Sequence, residues 1–193
     1  MHDFNHDSDS THIRDAQGHG SETARAIRLA ATGWDCKNGG LFPANGDWQK
    51  WLHESFEKTV GAHFISVHTH AGQMQVREIA ALDAGLDLPG QAISRSSGEA
   101  LLQCLLTTRS SRLAKKLASQ CPSPQLATAS AVQAVEFTIP LRQALLSYLF
   151  LEWIGGNPKG TIDIFLKHES ALSDCVGRVV KQSFEQFPNA FSA

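Results

Sequence analysis

The chain has 193 residues, the length of one domain or of one domain with a terminal extension. Its 17 basic and 19 acidic side chains nearly cancel, which argues against a dedicated nucleic-acid-binding protein, and its 42% hydrophobic content excludes an intrinsically disordered chain. No apolar run approaches the ~18–20 residues of a membrane-spanning helix, and the polar N-terminus lacks a signal-peptide pattern, so we expect a cytoplasmic protein.

Residues 1–23 differ in composition from the rest of the chain. Five carboxylates and one arginine give this segment a net charge of −4, and it offers few large apolar side chains for a core. We therefore predict a flexible acidic tail over 1–23 and a helical domain over 24–193. The tail carries four histidines: His2, His6, His12 and His19. Imidazoles and carboxylates bind Ni, Zn or Cu, so weak metal capture is one interpretation of this tail and a solvated polar segment is the other.

Helical spacing of apolar residues begins near Ser21, which suits the start of a short helix. Asp47 suits the start of a second helix, whose apolar side chains recur at three- and four-residue steps. Gly72 is expected to interrupt that helix, and Pro89 ends the apolar stripe that follows it. The first half of the chain is therefore predicted to be helical.

The second half continues the same pattern. We predict one long helix over 91–120, a weaker one from about 125 to 137, and a third that Pro140 opens and the loop at 155–160 closes. A last, regular helix is predicted from Ile162 to Phe184. With no convincing β-hairpin signal, the sequence predicts an all-α, single-domain bundle of six to seven helices.

One stretch of the chain concentrates positive charge. Glu99 is its one acidic residue, and the stretch carries a net charge of +4 over 22 residues. Its cations are Arg95, Arg109, Arg112, Lys115 and Lys116. A solvated helix face is one interpretation, and a docking face for an acidic partner or phosphate is the other. The chain has no P-loop, because GGNPKGT at 155–161 lacks the required spacing.

The sequence offers little catalytic chemistry. His68 and His70 lie two residues apart, as in metal-dependent hydrolases, but such positions do not face each other on a helix, and the barrel those enzymes need is typically ~250 residues long. His63 lies on an apolar helix face and is expected to be a hydrogen-bonded core or interface residue and not a metal ligand. We therefore expect no enzymatic activity. Two alternatives stay open: a small helical metal- or cofactor-binding protein or enzyme that uses His63, His68 or His168, and a generic helical interaction protein.

Three stretches, taken in order, carry a recognisable pattern. They are GDWQKWLHESFEKTV, LDAGLDLPGQAISRSSGEALLQCLL and AVEFTIPLRQALLSYLFLEWI. Within the second, the matching positions are Asp83, Arg95, Ser97, Gly98, Leu101 and Leu102. The third contains the Ala-Leu-x-x-Tyr-Leu core of a later helix. In this order the stretches resemble the UreF-type urease accessory proteins, with this chain as a divergent member.

The resemblance implies an all-α, non-enzymatic helper for nickel insertion into the urease apoprotein. Such a protein bridges a UreD/UreH-type scaffold and a UreG-type GTPase, and binding biases which nucleotide state of the GTPase persists. The residues expected to contact these partners are Arg95, Ser97, Arg109, Arg112, Lys115 and Lys116. No resident cofactor is expected, the tail histidines would hold nickel only loosely, and a homodimer is left open.

Overall fold

A computed structural model describes residues 41–43, 46–108, 110–157 and 162–186. All regular structure in these ranges is helical and no strand occurs in them, which confirms the predicted all-α bundle. The predicted tail over 1–23, and the helix predicted to begin near Ser21, lie outside the described residues. None of the helices in the described part is long and apolar enough to cross a membrane.

The helices follow one another closely along the chain. They are α1 (Trp48–Trp51), a π-helical segment (Leu52–Val60), α2 (Gly61–Gly72), α3 (Val76–Gly85), α4 (Gln91–Thr108), α5 (Arg112–Gln120), α6 (Leu126–Glu136), α7 (Leu141–Gly156), α8 (Ile162–Leu166) and α9 (Glu169–Gln186).

The first long helix begins and ends where the sequence predicts. The side chain of Asp47 accepts a hydrogen bond from the backbone N–H of Lys50 at 3.0 Å and so caps α1. The helix continues without interruption through the π-helical segment into α2 and ends at Gly72. The π-helical segment carries no signal in the apolar spacing, and the sequence did not predict it.

The single helix predicted over 91–120 is wrong, because the structure ends α4 at Thr108 and begins α5 at Arg112. The hydroxyl of Thr108 donates to the carbonyl of Cys104 at 2.7 Å, a bond that competes with the regular helical ladder. The hydroxyl of Ser111 then accepts from the backbone N–H of Ala114 at 2.8 Å and caps the new helix. The predicted last helix is likewise divided, by a turn at 167–168 between α8 and α9.

The centre of the bundle is formed by α6, which packs against both α2 and α4. Gly98 of α4 lies so close to the start of α6 that a Cβ atom there would be 2.1 Å from the carbonyl oxygen of Pro124. Ser94 of the same helix accepts a hydrogen bond from the backbone N–H of Leu126 at 3.1 Å. Small residues on α4 therefore let the two helices approach closely.

A chain of aromatic rings joins the start of the described chain to α7. Phe42 lies 4.9 Å from Trp48, and Trp48 stacks on Trp51 at 5.3 Å, between ring centroids. Further along, Phe56 lies 6.4 Å from Tyr148 of α7. The segment before α1 is thereby packed into the hydrophobic core.

Candidate functional site

The short helix α5 places three cations on one exposed face. Arg112, Lys115 and Lys116 follow the three- and four-residue spacing that puts side chains on the same side of a helix, and all three are exposed. The opposite side of α5 is buried in the bundle through Leu113, Ala114 and Leu117. We call the exposed side, defined by Arg112, Lys115 and Lys116, the cationic face.

No carboxylate of the described residues neutralises the charge of the cationic face. Lys115 lies 3.2 Å from the hydroxyl of Ser110, and within the described ranges no acidic side chain forms an ion pair with Arg112, Lys115 or Lys116. Arg109, the fourth cation predicted for this surface, lies outside the described residues. The face is therefore suited to a partner that supplies negative charge.

Arg95 and Ser97 lie on α4, not on α5, and both are engaged within the bundle. Arg95 forms an ion pair with the buried carboxylate of Asp83 at 2.8 Å, and it also donates to the carbonyl of Ser123 at 2.9 Å. The second carboxylate oxygen of Asp83 accepts from the backbone N–H of Gln125 at 2.8 Å. Ser97 is fully buried and so lies inside the bundle, away from any docking surface. The five predicted contact residues that the structure describes are thus not brought together.

A thiol completes the surroundings of Asp83. The Sγ atom of Cys121 lies 3.4 Å from the carboxylate of Asp83. Burial, together with the negative charge of Asp83, raises the pKa of the Cys121 thiol to about 12. The thiol is therefore protonated at neutral pH and is a poor nucleophile or metal ligand.

The histidines of the described chain do not converge. Burial lowers the pKa of His63 to about 4, against an opposing effect of Asp83, and its Nε2 lies 3.0 Å from the hydroxyl of Thr128, as expected for a core residue. Burial also lowers the pKa of His68, against an opposing effect of the backbone of Ile139, and the Nε2 atom of His68 is buried without a hydrogen-bond partner among the described residues. The remaining three histidines are paired separately, His53 with Glu57, His70 with Gln75 and His168 with Gln49.

A metal site is not formed in the part of the chain that the structure describes. There, no three histidine, cysteine, aspartate or glutamate side chains are grouped so that they could hold an ion. The four histidines predicted as loose nickel ligands, His2, His6, His12 and His19, lie outside the described residues.

A polar cleft, which the sequence did not indicate, separates the π-helical segment from α9. Glu57 lies 2.9 Å from the Nδ1 atom of His53 and accepts from the Nε atom of Arg178 at 3.0 Å. Cavities of ≈340 and ≈230 Å³ flank these residues. Burial alone would raise the pKa of Glu57, but hydrogen bonds from Arg178, His53 and Cys175 outweigh it and lower the pKa. The carboxylate stays ionised and engaged, so it is not a free general base.

Glu152, like Asp83, is a buried acid, and its role was not predicted from the sequence. Glu152 of α7 is fully buried, and its two oxygens accept from the hydroxyl of Tyr148 at 2.5 Å and from the backbone N–H of Phe42 at 2.9 Å. Its signal in the sequence is one carboxylate within an otherwise apolar run, four residues after a tyrosine. Because burial exceeds the effect of these hydrogen bonds, the pKa of Glu152 is raised to about 7.

Comparison of the chain with protein-family models, with curated proteins and with solved structures found no match. A functional assignment must therefore rest on the residues of the chain itself. Among the features described, the cationic face is the one best suited to binding a partner protein.

Proposed function

We propose that this protein is a non-enzymatic docking scaffold in the cytoplasm, of the UreF urease accessory type. Its partners in this proposal are a UreG-type GTPase and a UreD/UreH-type scaffold, and its role is nickel insertion into the urease apoprotein. The observation that supports docking is the cationic face, where three exposed cations have no acidic partner among the described side chains. The sequence pattern over 46–60, 82–106 and 134–154 supports the urease link.

The cationic face is presented by a helix that is packed into the bundle. Its buried apolar side and the cap at Ser111 hold the backbone of α5 in place, so binding of a partner needs to order only the side chains of the three cations. An acidic protein surface would gain charge pairs at the rim of such an interface, which steer association and select the correct partner. If the acidic surface is formed in only one nucleotide state of the GTPase, binding favours that state.

The acidic segment over 1–23 has an auxiliary role in this proposal. Its four histidines and neighbouring carboxylates would retain nickel weakly and release it readily, as suits delivery rather than storage. The protein then needs no resident cofactor of its own.

Reversing the charge of the cationic face tests the docking proposal. We expect the double substitution Lys115→Glu and Lys116→Glu to weaken co-purification with a UreG-type GTPase about tenfold or more, because like charges then face the acidic surface. Binding of the unmodified protein is expected to weaken as salt rises. The measurement is the dissociation constant at two ionic strengths, with helicity recorded by circular dichroism.

The matched control reverses two lysines on other helices, with Lys50→Glu and Lys181→Glu. Both lysines are exposed, and because two lysines again become glutamates the change in net charge is the same. Each of them also forms an exposed pair with a glutamate four residues away, a contact that contributes at most about 0.5 kcal/mol. Equal loss of binding in the two double variants would show that net charge, and not the cationic face, governs association. Unchanged binding in both would contradict the docking proposal.

A further inference from the structure

The cationic face concentrates exposed charge for which the described part of the chain supplies no carboxylate. Arg112, Lys115 and Lys116 lie close together on α5, and none of them forms an ion pair with a described side chain. Four cations on other helices do pair with carboxylates: Lys50, Arg95, Arg178 and Lys181. The three cations of α5 therefore stay available for negative charge from another part of the chain or from another molecule.

The acidic segment over residues 1–23 is a source of negative charge within the same chain. Its one arginine and five carboxylates give it a net charge of −4. The carboxylates are those of Asp3, Asp7, Asp9, Asp15 and Glu22. This charge is opposite in sign to that of the cationic face and similar in size, and such complementarity favours association of two surfaces.

The length of chain between the segment and the described domain permits this contact. Residues 24–40 separate the acidic segment from Leu41, the first residue that the structure describes. At a maximum of ~3.5 Å per residue, these residues can span up to ~60 Å. A folded domain of 193 residues has a radius of gyration of only ~16 Å, so most of its surface is within reach.

We propose that the acidic segment 1–23 docks on the cationic face of its own chain, where it competes with an acidic partner protein. The attraction is the sum of several exposed charge pairs, each of them weak and screened by salt. Because both elements belong to one molecule, they meet at an effective concentration on the order of millimolar, which compensates for the weakness of the pairs.

A contact of this strength selects among partners. A folded acidic surface that matches the cationic face closely displaces the segment, whereas a poorly matched anion does not. The segment thus raises the complementarity that a partner needs before it binds. The contact itself does not depend on which protein the partner is, and only its effect on a UreG-type GTPase rests on the proposed function.

A synthetic peptide with the sequence of residues 1–23 tests whether the segment recognises this face. The peptide is added to a full-chain variant whose own segment is uncharged at these positions, which we call the neutral-segment variant. Its substitutions are Asp3→Asn, Asp7→Asn, Asp9→Asn, Asp15→Asn and Glu22→Gln. In NMR spectra at low ionic strength, we expect the peptide to shift the backbone amide signals of Lys115 and Lys116, and we expect high salt to abolish the shifts.

Charge reversal shows whether these shifts report on the cationic face. When Lys115→Glu and Lys116→Glu are added to the neutral-segment variant, we expect the peptide to cause no shift in α5. The matched pair Lys50→Glu and Lys181→Glu changes the net charge equally and should leave the shifts in place. Circular dichroism verifies that each variant keeps its helical content.

Competition shows whether the segment occupies the face in the unmodified protein. The competitor is a polyglutamate peptide, and its dissociation constant is measured for the unmodified protein and for the neutral-segment variant. With an effective concentration about twice the dissociation constant of the segment, we expect the unmodified protein to bind polyglutamate about threefold more weakly. Dilution should not change this ratio, because a contact within one molecule does not depend on protein concentration.

A second variant separates docking from net charge. It removes five exposed carboxylates from the described domain and leaves the segment intact. Its substitutions are Glu54→Gln, Glu78→Gln, Asp87→Asn, Asp174→Asn and Glu185→Gln. Because these side chains do not belong to the acidic segment, we expect a smaller gain in polyglutamate affinity than the neutral-segment variant shows.

Three outcomes would overturn the proposal. The first is a peptide that leaves the amide signals of α5 unchanged at low ionic strength. The second is an equal gain in polyglutamate affinity for the two neutralised variants, which would assign the effect to net charge. The third is a ratio that falls on dilution, which would place the segment on a second copy of the chain. None of these measurements uses the GTPase, so this proposal can fail while docking of the GTPase is upheld, and the reverse.

Discussion

Asp83 is buried beneath the start of α6, and Arg95 is the cation with which it pairs among the described residues. Its side chain is 1% exposed and its ion pair with Arg95 spans 2.8 Å, while the backbone N–H of Gln125 satisfies the other oxygen. A buried charge that loses its partner is left without compensation, and this costs more than the pair contributes when it is intact. We therefore expect substitution of Arg95 to lower the free energy of unfolding, because it leaves the charge of Asp83 unpaired.

We expect Arg95→Ala to lower the free energy of unfolding by about 2 kcal/mol, below the usual range for a broken buried pair because a third of Arg95 is exposed to solvent. Urea denaturation at pH 7 measures this change. Arg77→Ala removes an exposed arginine from α3 and should change stability by less than about 0.5 kcal/mol. Equal effects of the two substitutions would show that the ion pair with Asp83 contributes nothing.

The partners of individual polar residues were harder to predict from the sequence than the helices were. The partnership of Asp83 and Arg95 spans the turn between α3 and α4, so no local period indicates it. Glu152 could have been suspected, because a lone carboxylate in an apolar helix must either reach solvent or find donors. The donors that it finds, however, include the backbone of Phe42, which is 110 residues away in the chain.

Among the helices, the closest approach is between α4 and the start of α6. A methyl group at Gly98 would meet backbone atoms of Pro124 and Gln125, at 2.1 Å from the carbonyl oxygen of the former. Backbone cannot rotate away as a side chain can, so α4 and α6 would have to separate. We expect Gly98→Ala to reduce stability by about 1–3 kcal/mol, measured by thermal or urea unfolding.

Gly72 provides the control for this substitution. It lies at the end of α2, and nothing within 4 Å would contact a Cβ atom there. Gly72→Ala should be neutral or stabilising by up to about 1 kcal/mol, since alanine favours a helix more than glycine does. A similar loss in both variants would mean that close packing at Gly98 is not what the glycine provides.

Helix boundaries were predictable where one residue marks them. Asp47 and Gly72 bound the first long helix as expected, because a capping carboxylate and a glycine act locally. The break before α5 was missed because the apolar spacing continues across it, although Ser111 is a good cap. The π-helical segment leaves the apolar pattern almost unchanged and could not be inferred from it.

At the scale of the whole molecule, the spacing of apolar residues predicts the fold class, but it does not predict which residues form a binding surface. Most of the chain repeats the helical period, and burial of the resulting stripes against one another is enough to specify a bundle. The cationic residues predicted as one site divide between Arg95, which is engaged by a buried carboxylate, and the exposed Lys115 and Lys116. Only tertiary packing decides which cations remain available, and a period along one helix does not contain that information.

Two buried groups, Glu152 and His63, make the free energy of unfolding depend on pH in opposite directions. Glu152 has a raised pKa of about 7, so its contribution to stability is full below 4.5 and is lost as the pH rises through 7. His63 has a lowered pKa of about 4, so its contribution is full above 6.5 and is lost as the pH falls toward 4. Between about 4.5 and 6.5 the two slopes have opposite signs and largely cancel.

Removing one of the two groups should therefore expose the pH dependence of stability that the other group contributes. We compare the free energy of unfolding of His63→Gln with that of the double variant Glu152→Gln/His63→Gln. This difference is expected to fall by about 3 kcal/mol as the pH rises from 4.5 to 7, because only the single variant keeps Glu152. Glu152→Gln should show the reverse, a decline of similar size as the pH falls from 6.5 to 4. Urea unfolding of all four proteins at each pH measures these differences, and other titrating groups cancel in the comparison. Parallel pH profiles for the two single variants would show that these buried groups do not titrate as their surroundings require.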